Sequence, residues 1–375
     1  MSDSDTPGTA TGGSIAESSD TGKSTKPRNP VAAYEERIRR KVLVVGGLLA
    51  LLLGLSTVAL LTGPIEVPLR SLPAILFGRQ GGTSARAVWN IRLPRIAAAV
   101  GAGVGLAVAG TVLQSLLRNP LASPYTLGIS QAAAFGAAVA IVVFGAGSST
   151  TSSAFDWVPY LTTATAFTAA MLSTGAILLV ARLRPATPET LVLTGIALGA
   201  FFAAGTSALE YFATNIQLSA LVAWKFGTVS GATWNANVVL WVTALVAGVY
   251  FVRRAWAYEV LDAGDDTARS LGIDVTRIRI AGMIVASFLT SVVVSLFGVI
   301  GFVGLVVPHI VRRIVGGDER FLVVAASIAG GALLVASDLV ARTLIAPVVL
   351  PVGIVTAFVG VPLFLYLIVN GREYW

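Results

Sequence analysis

Apolar runs long enough to form whole helices alternate with short polar connections from Val42 to the C-terminus. Within the runs Leu, Val, Ile, Ala and Gly occupy every helical position, so no face is reserved for water, as in helices surrounded by lipid or protein. The pattern predicts spans at about Val42 to Leu61, Arg95 to Leu117, Tyr125 to Phe144, Val158 to Val180, Leu191 to Phe212, Val238 to Val252, Ile278 to Leu296, Phe321 to Val340 and Pro351 to Val369. A shorter piece at Gly304 to Val315, reached by a tight return through Gly298 and Gly301, makes a tenth; if it only half enters the bilayer, nine remain. Most of these runs approach the roughly 20 residues that a bilayer core requires. The expectation is an all-α polytopic membrane protein of about ten transmembrane helices.

The longest internal polar stretch, Arg253 to Arg279, interrupts this pattern between two apolar halves. Its interior follows helix grammar: Asp265 or Asp266 can cap, Thr267 to Leu271 form a short helix, and Gly272 can take the left-handed residue that ends it. Asp274 begins a second helix that leads into Arg277 and Arg279. A solvated loop would also satisfy the composition. Two short capped helices are, however, what a rigid docking surface for a soluble partner needs.

Composition agrees: 55% of the 375 residues are hydrophobic and only 12% are charged, which excludes an ordinary water-soluble domain. The net charge of +7 does not indicate nucleic acid, because the basic residues are scattered between spans and form no continuous face. With no cysteine and a single histidine, His309, disulfides, thiol chemistry and a histidine-built metal site are not expected. Residues Met1 to Pro30 lack the apolar side chains that offset ordering entropy, so residues 1–41 are expected to be a disordered cytoplasmic tail and 42–375 the membrane domain. Thr21-Gly22-Lys23-Ser24 resembles the end of a phosphate-binding loop, but Glu17 stands where that motif needs glycine. Arg39-Arg40-Lys41 resembles an export signal, yet the apolar run after it is a full span and no small-residue cleavage site follows.

Charge sets orientation. Ten spans with the N-terminus inside put Arg118, Arg182, Arg184, the polar stretch, Arg312, Arg313, Arg320 and Arg372 in the cytoplasm together with both termini, as the positive-inside rule requires. The exceptions are Lys225, Arg342 and a run of five arginines in one outer connection, Arg70, Arg79, Arg86, Arg92 and Arg95.

Within the spans, Gly101, Gly105 and Ala109, flanked by Gly103 and Gly110, offer a surface for close helix approach, and Gly195, Gly199 and Ala203 repeat the spacing. Asp338 and Arg342 lie four apart on one helix face near its outer end, either as a local pair or as transport residues. Gln114 either bonds between helices or lines a pathway, and Glu210 sits at an outer boundary. No carboxylate is placed mid-membrane as a proton-driven carrier needs, and HExxH is absent. Ser230 and His309 would lie on opposite sides of the membrane, too far apart for a dyad, and His309 after Pro308 closes a short helix beside Arg312 and Arg313. No catalytic centre is read, so the chain is not expected to be an enzyme.

Arg92-Leu93-Pro94-Arg95 with the glycine-rich span after it, Arg118-Asn119-Pro120-Leu121-Ala122 and Leu127-Gly128-Ile129-Ser130 resemble the permeases of iron-siderophore and vitamin B12 ABC importers, the FecCD/BtuC type. The resemblance continues through Ala268-Arg269-Ser270-Leu271-Gly272, the run from Gly301 to His309, the run from Asp338 to Arg342 and the run from Leu350 to Thr356, and covers everything from about Val42 onward. Ala132 departs from it, since the family usually has glycine there.

The resemblance implies a type II importer permease in the cytoplasmic membrane of a prokaryote, paired with a second copy around the substrate path. Two ATP-binding subunits would dock beneath, using ATP and Mg²⁺, and an extracytoplasmic substrate-binding lipoprotein above; this chain would bind no cofactor. The cargo would be a metal chelate: cobalamin, a ferric siderophore or haem. Asp266, Thr267, Ala268, Arg269, Ser270, Leu271 and Gly272 would be the segment received by the ATPase. Asn119 and Leu121 would sit near the cytoplasmic gate opposite the turn Thr187 to Glu189, with Gln114 beside the pathway. Arg92, Arg95 and Arg342 would face the external medium and grip acidic residues of the binding protein, with lipid headgroups, or for Arg342 the local pair with Asp338, as the alternatives. A stand-alone secondary transporter or channel is the competing class. The charge distribution predicts that a reporter inserted at Gly264, or fused after Trp375, is active in the cytoplasm; an external signal at Gly264 would overturn this architecture.

Overall fold

The computed structural model describes residues 30–146, 158–183 and 187–370. The tail expected to be disordered over residues 1–41 is helical from Pro30, where the first helix begins ahead of the apolar run; the part before Pro30, with the sequence around Lys23, lies outside the described residues, as do Arg184 and the C-terminal Arg372. Helices make up about four fifths of the described chain because no strand partner is available in hydrocarbon and each backbone N–H and C=O must be satisfied locally.

In order, the helices are α1 (Pro30–Leu61), two short helices α2 (Leu72–Leu76) and α3 (Thr83–Ala87), α4 (Leu93–Leu116), α5 (Ile129–Ala138), α6 (Val158–Leu183), α7 (Pro188–Phe212), α8 (Asn215–Lys225), α9 (Trp234–Asp262), α10 (Asp265–Ser270), α11 (Val275–Phe297), α12 (Val303–Val315), α13 (Glu319–Thr343) and α14 (Val352–Asn370). π-helical turns at Val88–Arg92 and Val139–Val143 join α3 to α4 and extend α5. Seven of these helices are long and apolar enough to cross a membrane. α5 with its extension and α14 are shorter apolar helices at two of the remaining expected positions, and α12, which carries Arg312 and Arg313, stands at the third.

α9 and α8 also differ from expectation for physical reasons, whereas α12 keeps its expected place. α9 runs ten residues past Val252 to Asp262, so much of the polar stretch continues a membrane helix. α8 was not foreseen: it is short, and its signal is the capping box Thr214-x-x-Gln217, where Gln217 N–H reaches the Thr214 hydroxyl and Gln217 Oε1 accepts from Thr214 N–H at 2.9 Å. α12 has 13 residues, about 20 Å at the helical rise, and follows a break in which Gly298 and Phe302 both have positive φ. His309 sits inside α12, with Arg312 and Arg313 in its last turn.

α4 is the spine of the bundle, flanked by α9, α11, α12 and α13. Its small residues divide by face. A Cβ at Gly103 would fall 2.2 Å from the Gly330 carbonyl oxygen of α13, and one at Gly110 only 1.8 Å from the Gly304 oxygen of α12, so at both points backbone meets backbone. Gly101 and Gly105 instead receive the side chains of Leu240 and of Val293 and Leu289. The second glycine motif, Gly195 and Gly199, takes Gly128 at the start of α5.

At the end of the bundle opposite α10, arginines hold α1. An α-helix leaves its last four carbonyls without partners. Here Val58 O accepts from Thr62 N–H, Ala59 O from Arg342 Nη2, and Leu60 O and Leu61 O from Arg92 Nη1. Arg342 also donates to Thr62 O and Arg92 to Ile65 O. Arg95 binds both Asp338 oxygens from α4 to α13 at 2.9–3.0 Å, whereas the helix-local Arg342 reaches Asp338 only at 3.9 Å. The expectation that Arg92, Arg95 and Arg342 face the external medium is therefore corrected. Arg92 is 5% exposed and the Arg95 and Arg342 side chains 13% and 10%, because α1 offers carbonyls and α13 a carboxylate that desolvated guanidinium groups must use. The arginines of this end that stay exposed are Arg70, Arg79 and Arg86.

Removing one partner of a buried pair strands the other. Asp338→Ala is expected to cost about 3–5 kcal/mol, whereas Arg70→Ala should fall within about 0.5 kcal/mol of the parent protein; thermal unfolding in detergent compares them.

Candidate functional site

The polar stretch folds as a compact platform. α10 begins at Gly264, whose φ of 121° suits glycine; neither Asp265 nor Asp266 caps the helix with its side chain, contrary to expectation. Gly272 closes it at φ 79°, with Gly272 N–H donating to Arg269 O and Ile273 N–H to Ala268 O, each at 3.0 Å. This is a Schellman closure, and Ile273 packs against the core cluster to which Ala268 belongs. Asp274 caps α11 by accepting from Arg277 N–H at 3.0 Å, as the sequence suggested.

α10 therefore has two faces. Ala268 is fully buried. Asp266, Thr267, Arg269, Ser270, Leu271 and Gly272 are exposed, Leu271 at 56%, so the tip presents one large apolar side chain among polar ones. Asp266 and Arg269 pair at 3.1 Å on this surface, an interaction that contributes little stability where water competes.

Next to the platform the chain leaves α4 by a tight turn. Arg118 adopts φ 42°, Asn119 Oδ1 accepts from Leu121 N–H at 2.9 Å, and Ala122 N–H closes onto Asn119 O. The side-chain-to-backbone bond explains asparagine before proline here. Leu121 is left 41% exposed. Gln114, expected to bond between helices or to line a pathway, is 5% exposed and donates to Leu305 O at 3.1 Å, so it joins α4 to α12. Thr187 caps α7 by accepting from Thr190 N–H.

A cavity of about 350 Å³ begins beside this turn, lined by Ser123, Tyr125, Thr126 and Ser130, and reaches the α11–α12 break at Gly301 and Phe302 and the end of α8 at Lys225 and Phe226. Lys225 also pairs with Glu210 at 2.8 Å, which gives that boundary carboxylate a partner.

Two charged networks bind the platform to the bundle, and composition alone did not reveal them. Arg312 on α12 donates to Asp262 at the end of α9 and to Ser115 on α4, and pairs with Glu319 at 3.1 Å at the start of α13. Glu319 is fully buried and accepts from the Ser115 hydroxyl at 2.8 Å. Its place in the first turn of α13 favours a carboxylate, a signal that the sequence does carry. The second network centres on Asp265, which meets Arg279 and Arg118. Among the described residues no group of three or more His, Asp or Glu comes together as a metal site would need.

Known proteins match most of this chain. The model of the FecCD transport family matches residues 49–370. The hemin transport system permease of Yersinia pestis is 34% identical over 336 residues, covering 88% of this chain and 96% of its own. The vitamin B12 import permease of Vibrio cholerae is 35% identical over 286 residues, 76% of this chain and 83% of its own. The solved structure of a metal-chelate type ABC transporter in an inward-facing conformation superposes with a TM-score of 0.76 at 26% identity, covering 87% of this chain and 99% of that one. A family match across nearly all of the membrane domain, joined to the same bundle in three dimensions, makes this chain a multi-pass inner-membrane permease of the FecCD transport family.

Proposed function

We infer that two copies of this chain form the membrane pathway of an ATP-driven importer for a metal chelate, with α10 as the surface received by a separate ATPase subunit. The observation that carries this reading is the build of α10: a closed helix with a buried inner face, a polar outer face and an apolar tip at Leu271. A loop destined only for water needs no such closure, whereas a surface that must pass on a push has to be rigid. The side bearing α10 and both chain termini is then cytoplasmic, where ATP is available.

Asn119 and Leu121 lie at the inner mouth, and the cavity between Ser123 and Phe226 is one wall of the path that the second copy completes. An extracytoplasmic binding lipoprotein docks on the far end, where Arg70, Arg79 and Arg86 present positive charge. The named cargo of the hemin and vitamin B12 relatives and the metal-chelate type of the solved one support a metal chelate: cobalamin, a ferric siderophore or haem. This chain holds no nucleotide or cofactor of its own.

The test is reconstitution into liposomes with the ATPase and binding protein that co-purify with it. Uptake of labelled cobalamin, haem and a ferric hydroxamate is measured with and without ATP. ATP-dependent uptake of one of them is expected; uptake driven by an ion gradient through this chain alone would overturn the reading. In the same vesicles Gly272→Pro should leave the protein inserted and the ATPase active but reduce uptake at least about tenfold, because proline cannot adopt the positive φ that closes α10.

A further inference from the structure

The inner face of α10 consists of two residues three apart, Asp265 and Ala268, while the exposed residues point away from the bundle. Ala268 contributes a small apolar contact, and such contacts carry no directional preference. Asp265 is different. Its carboxylate accepts from Arg279 Nη2 at 3.0 and 3.3 Å and lies 3.3 Å from Arg118 Nη2. Charge-assisted contacts of this kind fix orientation as well as distance.

Both arginines lead to the same place. Arg279 on α11 is 3% exposed and donates through Nε to Leu116 O, the last residue of α4, at 3.1 Å. Arg118 is the positive-φ residue of the turn that runs on through Asn119 to the exposed Leu121. The carboxylate of α10 thus grips the end of α4 from two sides, one buried and one half-exposed.

We propose that Asp265 is the positioning residue through which a displacement of α10 reaches the Arg118–Leu121 turn and opens or closes the inner mouth. The proposal deepens the reading of α10 as the ATPase-docking surface and rests on it. Asp265 faces inward, so its replacement leaves the docking surface intact; what it removes is the link between that surface and α4.

The chain contains no cysteine, so single cysteines report cleanly. In the transporter purified with its ATPase subunits and placed in lipid nanodiscs, Ser270→Cys is cross-linked to the ATPase, and Leu121→Cys is labelled with a water-soluble maleimide before and after ATP with orthovanadate. In the otherwise unaltered chain the cross-link forms and the labelling rate at position 121 changes several-fold with nucleotide. With Asp265→Asn added, the cross-link and ATP hydrolysis persist and the nucleotide-dependent change is lost. Asp265→Glu, which keeps the charge, restores most of it, a rescue that loss of folding would not show.

If Asp265→Asn does not assemble, Arg118→Gln on the half-exposed side carries the test and should weaken the change. A full nucleotide response at position 121 in Asp265→Asn, or in Arg118→Gln where it serves as the test, with the Ser270 cross-link intact, overturns the proposal while leaving the docking reading standing. Failure of Ser270→Cys to cross-link in the unaltered background sinks that reading, and the proposal with it.

Discussion

Inside a bilayer no water is available to satisfy a stray polar group, and the described chain is arranged around that constraint. It explains the helices, and equally what becomes of the charges. Arg92, Arg95 and Arg342 stand at one end of the bundle, and all three are turned into the chain. Two complete the carbonyl end of α1 and the third binds the carboxylate of Asp338. A helix end that would otherwise leave carbonyls in an apolar region gives these guanidinium groups a use stronger than contact with solvent.

The same rule shapes the opposite end, with a different outcome. There the carboxylates and arginines link several helices at once: Glu319 and Asp262 through Arg312, Asp265 through Arg279 and Arg118. One end of the bundle therefore uses charge to anchor a peripheral helix, and the other uses it to tie the surface helix α10 to the end of α4 and to α11, and the end of α9 to α4, α12 and α13. Between them α4 carries almost no polarity and packs by backbone proximity at Gly103 and Gly110. A spine packed that closely moves as a unit, because interiors at crystal-like density transmit displacement rather than absorb it.

The sequence by itself determined the class of structure and much of its outline. Hydrophobic runs of bilayer length placed the membrane helices, since a lipid-embedded helix must be apolar over its whole length. Local chemistry also showed through at Gly272, which needs a positive φ, and at Asp274, whose side chain caps the next residue run; both depend only on neighbours in the chain. The capping box at Thr214 and Gln217 is equally local, but α8 went unforeseen because it is too short for hydropathy to reveal.

What only the tertiary structure decided was the partner of each charge. The four-residue spacing of Asp338 and Arg342 suggests a pair, yet Asp338 binds Arg95, 243 positions away, because α4 and α13 meet where Gly103 faces Gly330. Asp265 reads as a helix cap until the fold brings Arg279 and Arg118 to it, and the interhelical bond that Gln114 could make has its partner only once Leu305 stands opposite. Hydropathy depends on each residue's own side chain, so it can be read along the chain. The pairing of a charge depends on which helix lies beside it, and that is settled by the packing of distant small residues.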